Sequence, residues 1–384
     1  MFTEKRELRI PGPTPVPPRA LRAFSKPLIG HRTSDFSGIL ERTTQRLKWI
    51  LGTEGEVYIL ASSGTGAMEA AVANVVSPGD RVVVVVGGKF GERWSELCNR
   101  YGAVVDEIIV EPGRAVDPED VRRSLQSGAE TRAVFITQNE TSTGVEHDVK
   151  SVACIVRQSP ALLVVDAVSS LGAIEMKMDE WGVDIVAGGS QKALMLPPGL
   201  GVIGVSSRAW SVIEKCKSPR YYFDLVACRE NLKKATTPFT PAVGMFFALD
   251  ETTSMIEEEG LETIYRRHTD MRDMIRAAAK AVGLELFAGD DVASRTITAI
   301  KGDTTFDVEK LRKRLASRYG VEVAGGQAEL KGVIFRIGHM GYMDRLDMVS
   351  TWAAVELALL DVGYRVSLGA GVKAAMEVMA RCEY

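Results

Sequence analysis

The chain has 384 residues, 46% of them apolar and 25% charged, an ordinary globular composition that excludes a disordered or fibrous chain. Its 47 basic and 50 acidic residues leave a net charge of −3 and a pI near 6.0, so no global field recruits nucleic acid or an anionic membrane, and a small-molecule partner is expected. No apolar run is longer than that of Val82 to Val86, far short of the roughly 20 residues a membrane-crossing helix needs, and the charged start Met1 to Arg9 lacks the apolar heart of a secretory signal. A soluble cytoplasmic protein is the expectation. Cys98, Cys154, Cys216, Cys228 and Cys382 are scattered and form no Cys-x-x-Cys pair, so reduced, structural thiols are expected.

Pro11, Pro13, Pro15, Pro17 and Pro18 fix φ and remove backbone donors over residues 10–18, which predicts an extended arm and excludes helix or central strand. Apolar runs of strand length follow at 57–60, 82–86, 104–108, 133–137, 162–165 and 184–187. Between them, stretches 67–76, 92–101, 118–126 and 149–158 are long enough for crossover helices. Near-continuous Val, Ile and Leu runs predict a mostly parallel sheet covered on both faces, the doubly wound α/β class. In that class ligands sit beyond the carboxyl ends of the strands, so the residues just after each run are the candidates. Past Gly260 the texture changes to a long helix over 261–281 and strands near 296–300, 321–324 and 333–337, read as a smaller α+β domain. The expected organisation is an arm (1–20), a large ligand-binding domain (21–259) and a small C-terminal domain (260–384). The basic stretch from Lys310 to Arg318 reads as a solvated helix face.

Ser62-Ser63-Gly64-Thr65-Gly66 joins a strand to a helix, where free N–H groups and hydroxyls make an anion site and glycine admits a phosphate closely. It lacks the Gly-x-Gly-x-x-Gly of dinucleotide folds and the lysine of a P-loop. Asp166 ends the run Leu162 to Val165; an acid there needs a cationic or proton-donating partner, with helix capping as the plain alternative. Lys192 follows Gly188-Gly189-Ser190-Gln191 and precedes Pro197-Pro198-Gly199. Confinement among small residues lowers a lysine's pKa and makes it nucleophilic, against the alternative of an ordinary loop lysine. Together, an anion cradle, a strand-end acid and a confined amine are what pyridoxal phosphate requires: donors for its phosphate, a carboxylate for its ring nitrogen and an amine for its aldehyde.

The stretch Val183 to Lys192, with Gly199-Leu200-Gly201 downstream, resembles the lysine signature of class V aminotransferases. Pro11-Gly12-Pro13-Thr14-Pro15, Ser142-Thr143-Gly144-Val145, Asp166 to Gly172 and Arg336-Ile337-Gly338 resemble the alanine–glyoxylate and serine–pyruvate branch of that family. The resemblance implies the pyridoxal-phosphate fold type I. It implies that Lys192 bonds the cofactor aldehyde and then moves a proton, and that Asp166 keeps the ring nitrogen protonated. Ser63, Gly64, Thr65 and Gln191 would cradle the phosphate, Phe90 and Val168 would cover the two ring faces, and Thr141 would sit near the phenolic oxygen. Thr240, in Thr237-Pro238-Phe239-Thr240-Pro241, matches a threonine that reaches the phosphate of the neighbouring subunit, which implies a homodimer. Arg336, the only charge in residues 333–338, would bind the substrate carboxylate, with Gly12 also at the substrate; a structural salt bridge is the alternative for Arg336.

Transfer of an amino group from alanine or serine to glyoxylate or pyruvate, in two half-reactions, is the function this implies. Arg32, after His31, is expected either to take a second acid, which would favour an acidic donor such as aspartate or a phosphonate, or to stabilise the arm. A cysteine desulfurase or another lyase is the competing reading. It would have histidine where this chain has Gln191 and Phe90, and a nucleophilic cysteine ahead of the Arg336 motif, where none is suitably placed. His147, His268 and His339 show no His-x-x-x-His spacing, so no metal site is expected.

Overall fold

A computed structural model describes residues 6–382. A seven-stranded sheet is built from β2 (Glu56–Ala61), β3 (Arg81–Val86), β4 (Val104–Ile109), β5 (Thr131–Thr137), β6 (Leu162–Asp166), β7 (Ile185–Gly189) and β8 (Leu200–Val205), in the order β2-β8-β7-β6-β5-β3-β4. Every pairing is parallel except those of β8, which runs antiparallel between β2 and β7. The expected mostly parallel sheet is therefore present.

The continuous apolar runs have a direct cause. Side chains alternate across a strand, so Val83 and Val85 join one buried layer with Val134, Ile136 and Leu163, while Val82 and Val84 join the opposite layer with Trp94, Phe135 and Val164. Both faces are buried from Val82 to Val85, and the one polar residue of β3, Arg81, sits at its partly exposed start. Helices Gly64–Val75 and Lys89–Arg100 follow β2 and β3 directly. The first is capped by Ser63, whose hydroxyl accepts from the Gly66 N–H at 3.3 Å; hydroxyl caps of this kind satisfy amides the first helical turn leaves free.

Sequence periodicity had not placed β8, because Gly201 and Gly204 dilute its apolar run to the texture of a turn. The helices Ser34–Leu51 and Val243–Glu259 likewise go beyond the elements read from sequence. They pack through Phe36 and Phe246, with ring centroids 5.2 Å apart.

A second, four-stranded sheet comprises β1 (Glu7–Arg9), β9 (Ile297–Lys301), β10 (Val321–Gly325) and β11 (Ile334–Gly338), in the order β1-β10-β11-β9. Helices Leu261–Ala281 and Arg345–Asp361 cover it, burying Ile275, Phe335, Ile337 and Trp352 together. The arm thus contributes a strand, pairing Glu7 with Val321 and Arg9 with Val323. Three residues give too short a pattern to read as a strand. Arg9 anchors it from a buried position, donating from Nε to Thr351 Oγ1 and from Nη2 to Asp347, each at 2.9 Å. From there the arm crosses to the large sheet, where the Thr14 N–H donates to the Gln191 carbonyl at 3.1 Å and its hydroxyl to the Lys192 carbonyl at 2.8 Å.

Lys310, Lys313, Arg314 and Arg318 are exposed, as a solvated face requires. No helix among the described residues is long and apolar enough to cross a membrane.

Candidate active site

The carboxyl ends of β2, β3, β6 and β7 open onto one cavity of about 220 Å3, and Lys192, Asp166, Ser63, Gly64, Thr65 and Phe90 all line it. Gly12, Val168 and Gln191 line it as well. These residues are spread over some 180 positions of chain, and the parallel topology gathers them because each strand delivers its last residue to the same edge.

Lys192 is 9% exposed, and its ammonium donates to the Pro11 carbonyl of the arm. Burial lowers its pKa to about 8, with the positive charges of Arg336 and Arg93 pushing the same way and Asp166 opposing. Asp166 is 3% exposed, and burial raises its pKa to about 6 despite the Val168 N–H, which it accepts at 2.8 Å. Two ionisable groups of opposite kind are thus moved toward neutrality in one cavity, the arrangement of a site that transfers protons near pH 7.

Shape constrains the site further. Gly12 has φ +125°, and a Cβ there would lie 2.7 Å from Lys192 Cδ, so only glycine lets the arm pass this close to the lysine. At Gly64 a Cβ would lie 2.7 Å from Val168 Cγ2; its absence seats Val168 against the helix end. Thr141 Oγ1 and Gln191 Oε1 are buried without a partner, and an unpaired buried polar atom calls for a ligand or water. Turned about, the Gln191 amide presents its NH2 to an anion.

Arg336, in β11, is 4% exposed, and its Nε and Nη2 donate to the Gly325 carbonyl at 2.9 and 2.6 Å, its Nη1 to the Thr141 carbonyl at 2.7 Å. Among the described residues it has no carboxylate partner, so the salt-bridge alternative raised from sequence is set aside. Burial lowers its pKa to about 10. Thr240 stands apart from the lysine, exposed, beside Tyr222 and Phe239, whose rings stack 5.1 Å apart. Arg32 donates to the Thr237 carbonyl at 2.6 Å and to the Thr236 hydroxyl, tying down the segment that leads to Thr240.

Two site residues went unread in the sequence. Glu140 is fully buried; one carboxylate oxygen accepts the N–H groups of Phe90 and Gly91, both at 3.1 Å, and the other accepts the Ser142 N–H at 3.1 Å. It fixes the backbone that carries Phe90, and burial pushes its pKa up. Its position just past β5 was the available signal. Arg93 lies one helical turn after Phe90, lines the cavity and sets its guanidinium carbon 4.8 Å from the Phe90 ring centroid. Among the described residues no group of three or more His, Cys, Asp or Glu side chains converges as metal donors. The buried histidines instead serve the fold: His147 Nδ1 accepts from the Val116 N–H at 3.0 Å, and His268 Nε2 from Gly341 at 3.2 Å.

The family model for class V aminotransferases matches residues 14–353. Over 381 residues the chain is 45% identical to a protein of Anabaena cylindrica named soluble hydrogenase 42 kDa subunit, covering 98% of this chain and 99% of that one. It is 36% identical to the L-aspartate–glyoxylate aminotransferase of Paracoccus denitrificans (98% and 96% covered) and 35% identical to the serine–glyoxylate aminotransferase of Methylorubrum extorquens (97% and 95%). Among solved structures, ureidoglycine–glyoxylate aminotransferase from Bacillus subtilis superimposes with a TM-score of 0.95 at 33% identity, covering 99% of this chain and all of the other. The architecture is that of the fold type I aminotransferases.

Proposed function

The chain belongs to the class V aminotransferases, which work with pyridoxal phosphate, and from that premise we propose that it moves the amino group of a small amino acid, serine or alanine, to glyoxylate or pyruvate. The observation that carries this reading is the Lys192–Asp166 pair, buried in one cavity with pKa values drawn to about 8 and about 6. Relatives named for serine and aspartate as donors and glyoxylate as acceptor support the substrate class.

Bound there, pyridoxal phosphate supplies an electron sink for the charge that develops at a substrate α-carbon. Lys192 would hold the cofactor aldehyde, and its Nζ, which a lowered pKa leaves ready to accept a proton near neutral pH, would serve as the base. Asp166 would pair with the ring nitrogen and favour its protonated form, since opposite charges in a buried site stabilise each other. Phe90 and Val168, which both line the cavity, would hold the ring between them, and the orphaned Thr141 hydroxyl has a donor free for the phenolic oxygen. Ser63, Gly64, Thr65 and Gln191 take the phosphate at the start of helix Gly64–Val75, where amides and dipole both favour an anion. Arg336 and the Gly12 backbone orient the substrate carboxylate.

A second copy of the chain completes the site in this reading. Thr240 lines a separate exposed hollow with Tyr222 and Phe239 and not the Lys192 cavity, and Tyr221, 80% exposed, extends the aromatic surface around it. A cytoplasmic setting is supported by the five free cysteines, which reducing conditions maintain.

The test is a half-reaction screen. The purified, cofactor-loaded protein should absorb in the visible, lose that band on adding serine or alanine alone, and regain it with glyoxylate. A preparation that stays colourless with added pyridoxal phosphate would sink the proposal.

A further inference from the structure

Arg93 is an arginine with unusually little to do. Its Nη1 donates to Thr65 Oγ1 at 3.2 Å, its face lies over Phe90, and among the described residues no carboxylate stands within ion-pair distance. A guanidinium carries five N–H donors, so most of them lack a protein acceptor while the side chain lines the Lys192 cavity. A partly buried cation with free donors at a cavity wall calls for an anion.

The remaining phosphate cradle contains no charge. Ser63, Gly64, Thr65 and Gln191 are neutral donors, whereas a phosphate monoester carries roughly −1.5 to −2 near pH 7. Lys192 is committed to the aldehyde and Arg336 to the substrate carboxylate. Thr65 joins Arg93 to the cradle: its hydroxyl accepts from Nη1 and keeps its own proton to donate. Phe90 keeps the guanidinium plane from swinging away, by a cation–π contact at 4.8 Å.

We propose that Arg93 is the counter-charge of the cofactor phosphate, a positioning residue that acts through the Thr65 hydroxyl; the inference rests on the aminotransferase reading above. It deepens that reading by assigning the cavity's third charged group, which no sequence motif had singled out.

The experiment compares apoprotein affinity for pyridoxal phosphate and for pyridoxal, which lacks the phosphate, in wild type, Arg93→Met and Arg93→Lys. Arg93→Met should weaken pyridoxal phosphate about 10- to 100-fold, the range of a lost hydrogen bond to a charged group. It should leave pyridoxal within about twofold, which also shows that the variant's site is folded. Arg93→Lys should recover part of the loss, because it restores the charge without the flat fork. Equal weakening of both compounds, or of neither, overturns the inference: the first would mean Arg93 only packs on Phe90. Wild-type protein that takes up neither compound would instead overturn the aminotransferase reading itself.

Discussion

Arg336 Nη1 lies 2.7 Å from the carbonyl oxygen of Thr141, a residue 195 positions earlier in the chain. With Gly325 accepting from Nε and Nη2, two backbone carbonyls hold the guanidinium in place and neither neutralises it. Among the described residues no carboxylate pairs with it, which is the basis for proposing that it binds a substrate carboxylate. Arg336→Ala should raise KM for the amino donor and the oxo acceptor alike, by about 100-fold, as expected when a bidentate carboxylate contact is lost. Arg336→Lys should recover little, since a point charge does not reproduce the fork. Steady-state kinetics with both substrates decide it, and unchanged KM values would return Arg336 to a structural role.

Lys192→Ala removes the only amine lining the cavity among the described residues. Turnover should fall by at least about 100- to 10,000-fold, the usual contribution of a positioned acid–base group, with far-UV circular dichroism unchanged. An alanine variant that turned over normally would refute the site.

The pair also leaves a signature in the pH dependence of the apoprotein's stability. Lys192 falls from 10.5 to about 8 on folding, so between those values the unfolded chain holds a proton the folded one lacks, and stability rises with pH. Asp166 rises from 3.8 to about 6; there the folded chain holds the extra proton, and stability falls as pH rises through that window. The pair's contribution is therefore lowest between about 6 and 8, where both are charged and buried. Chemical denaturation at a series of pH values, taken as wild type minus variant, should leave the upper limb in the Lys192→Met difference and the lower limb in the Asp166→Asn difference. The difference is needed because His147 and His339, lowered to about 4 and about 3 by burial, lose stability on acidification independently. Flat difference curves would contradict the burial of the pair.

Glu140→Gln tests the support beneath Phe90. A carboxylate accepts from Phe90, Gly91 and Ser142 N–H groups, whereas an amide must turn donors toward donors. The variant should lose about 1–3 kcal/mol, the consequence of leaving buried donors unpaired, and should bind the cofactor more weakly as the Phe90 backbone relaxes. Thermal unfolding and cofactor titration report the two effects; an unshifted midpoint would show that Glu140 is protonated and already shares its oxygens as an amide would.

Much of this protein was legible in its sequence because the governing signals are local. Val82 to Val86 must be buried on both faces, so β3 and its neighbours follow from composition alone. Asp166 and Lys192 sit directly after such runs, where a doubly wound sheet presents its ligand-binding edge. Ser63-Gly64-Thr65 carries its own helix cap and anion-binding amides.

Tertiary structure decided what depends on distant pairings. The arm's strand exists because Val321 to Val323 offer it hydrogen bonds, not because three residues specify one. Glu140 becomes a support only when β5 delivers it beneath the helix that starts after β3, and Arg93 faces the cavity only because its helix packs against Thr65 from another turn. A charge in a sequence shows that it needs a partner; which partner it finds, or that it is left free for a ligand, is settled by the chain segments that folding brings within 3 Å or so of it.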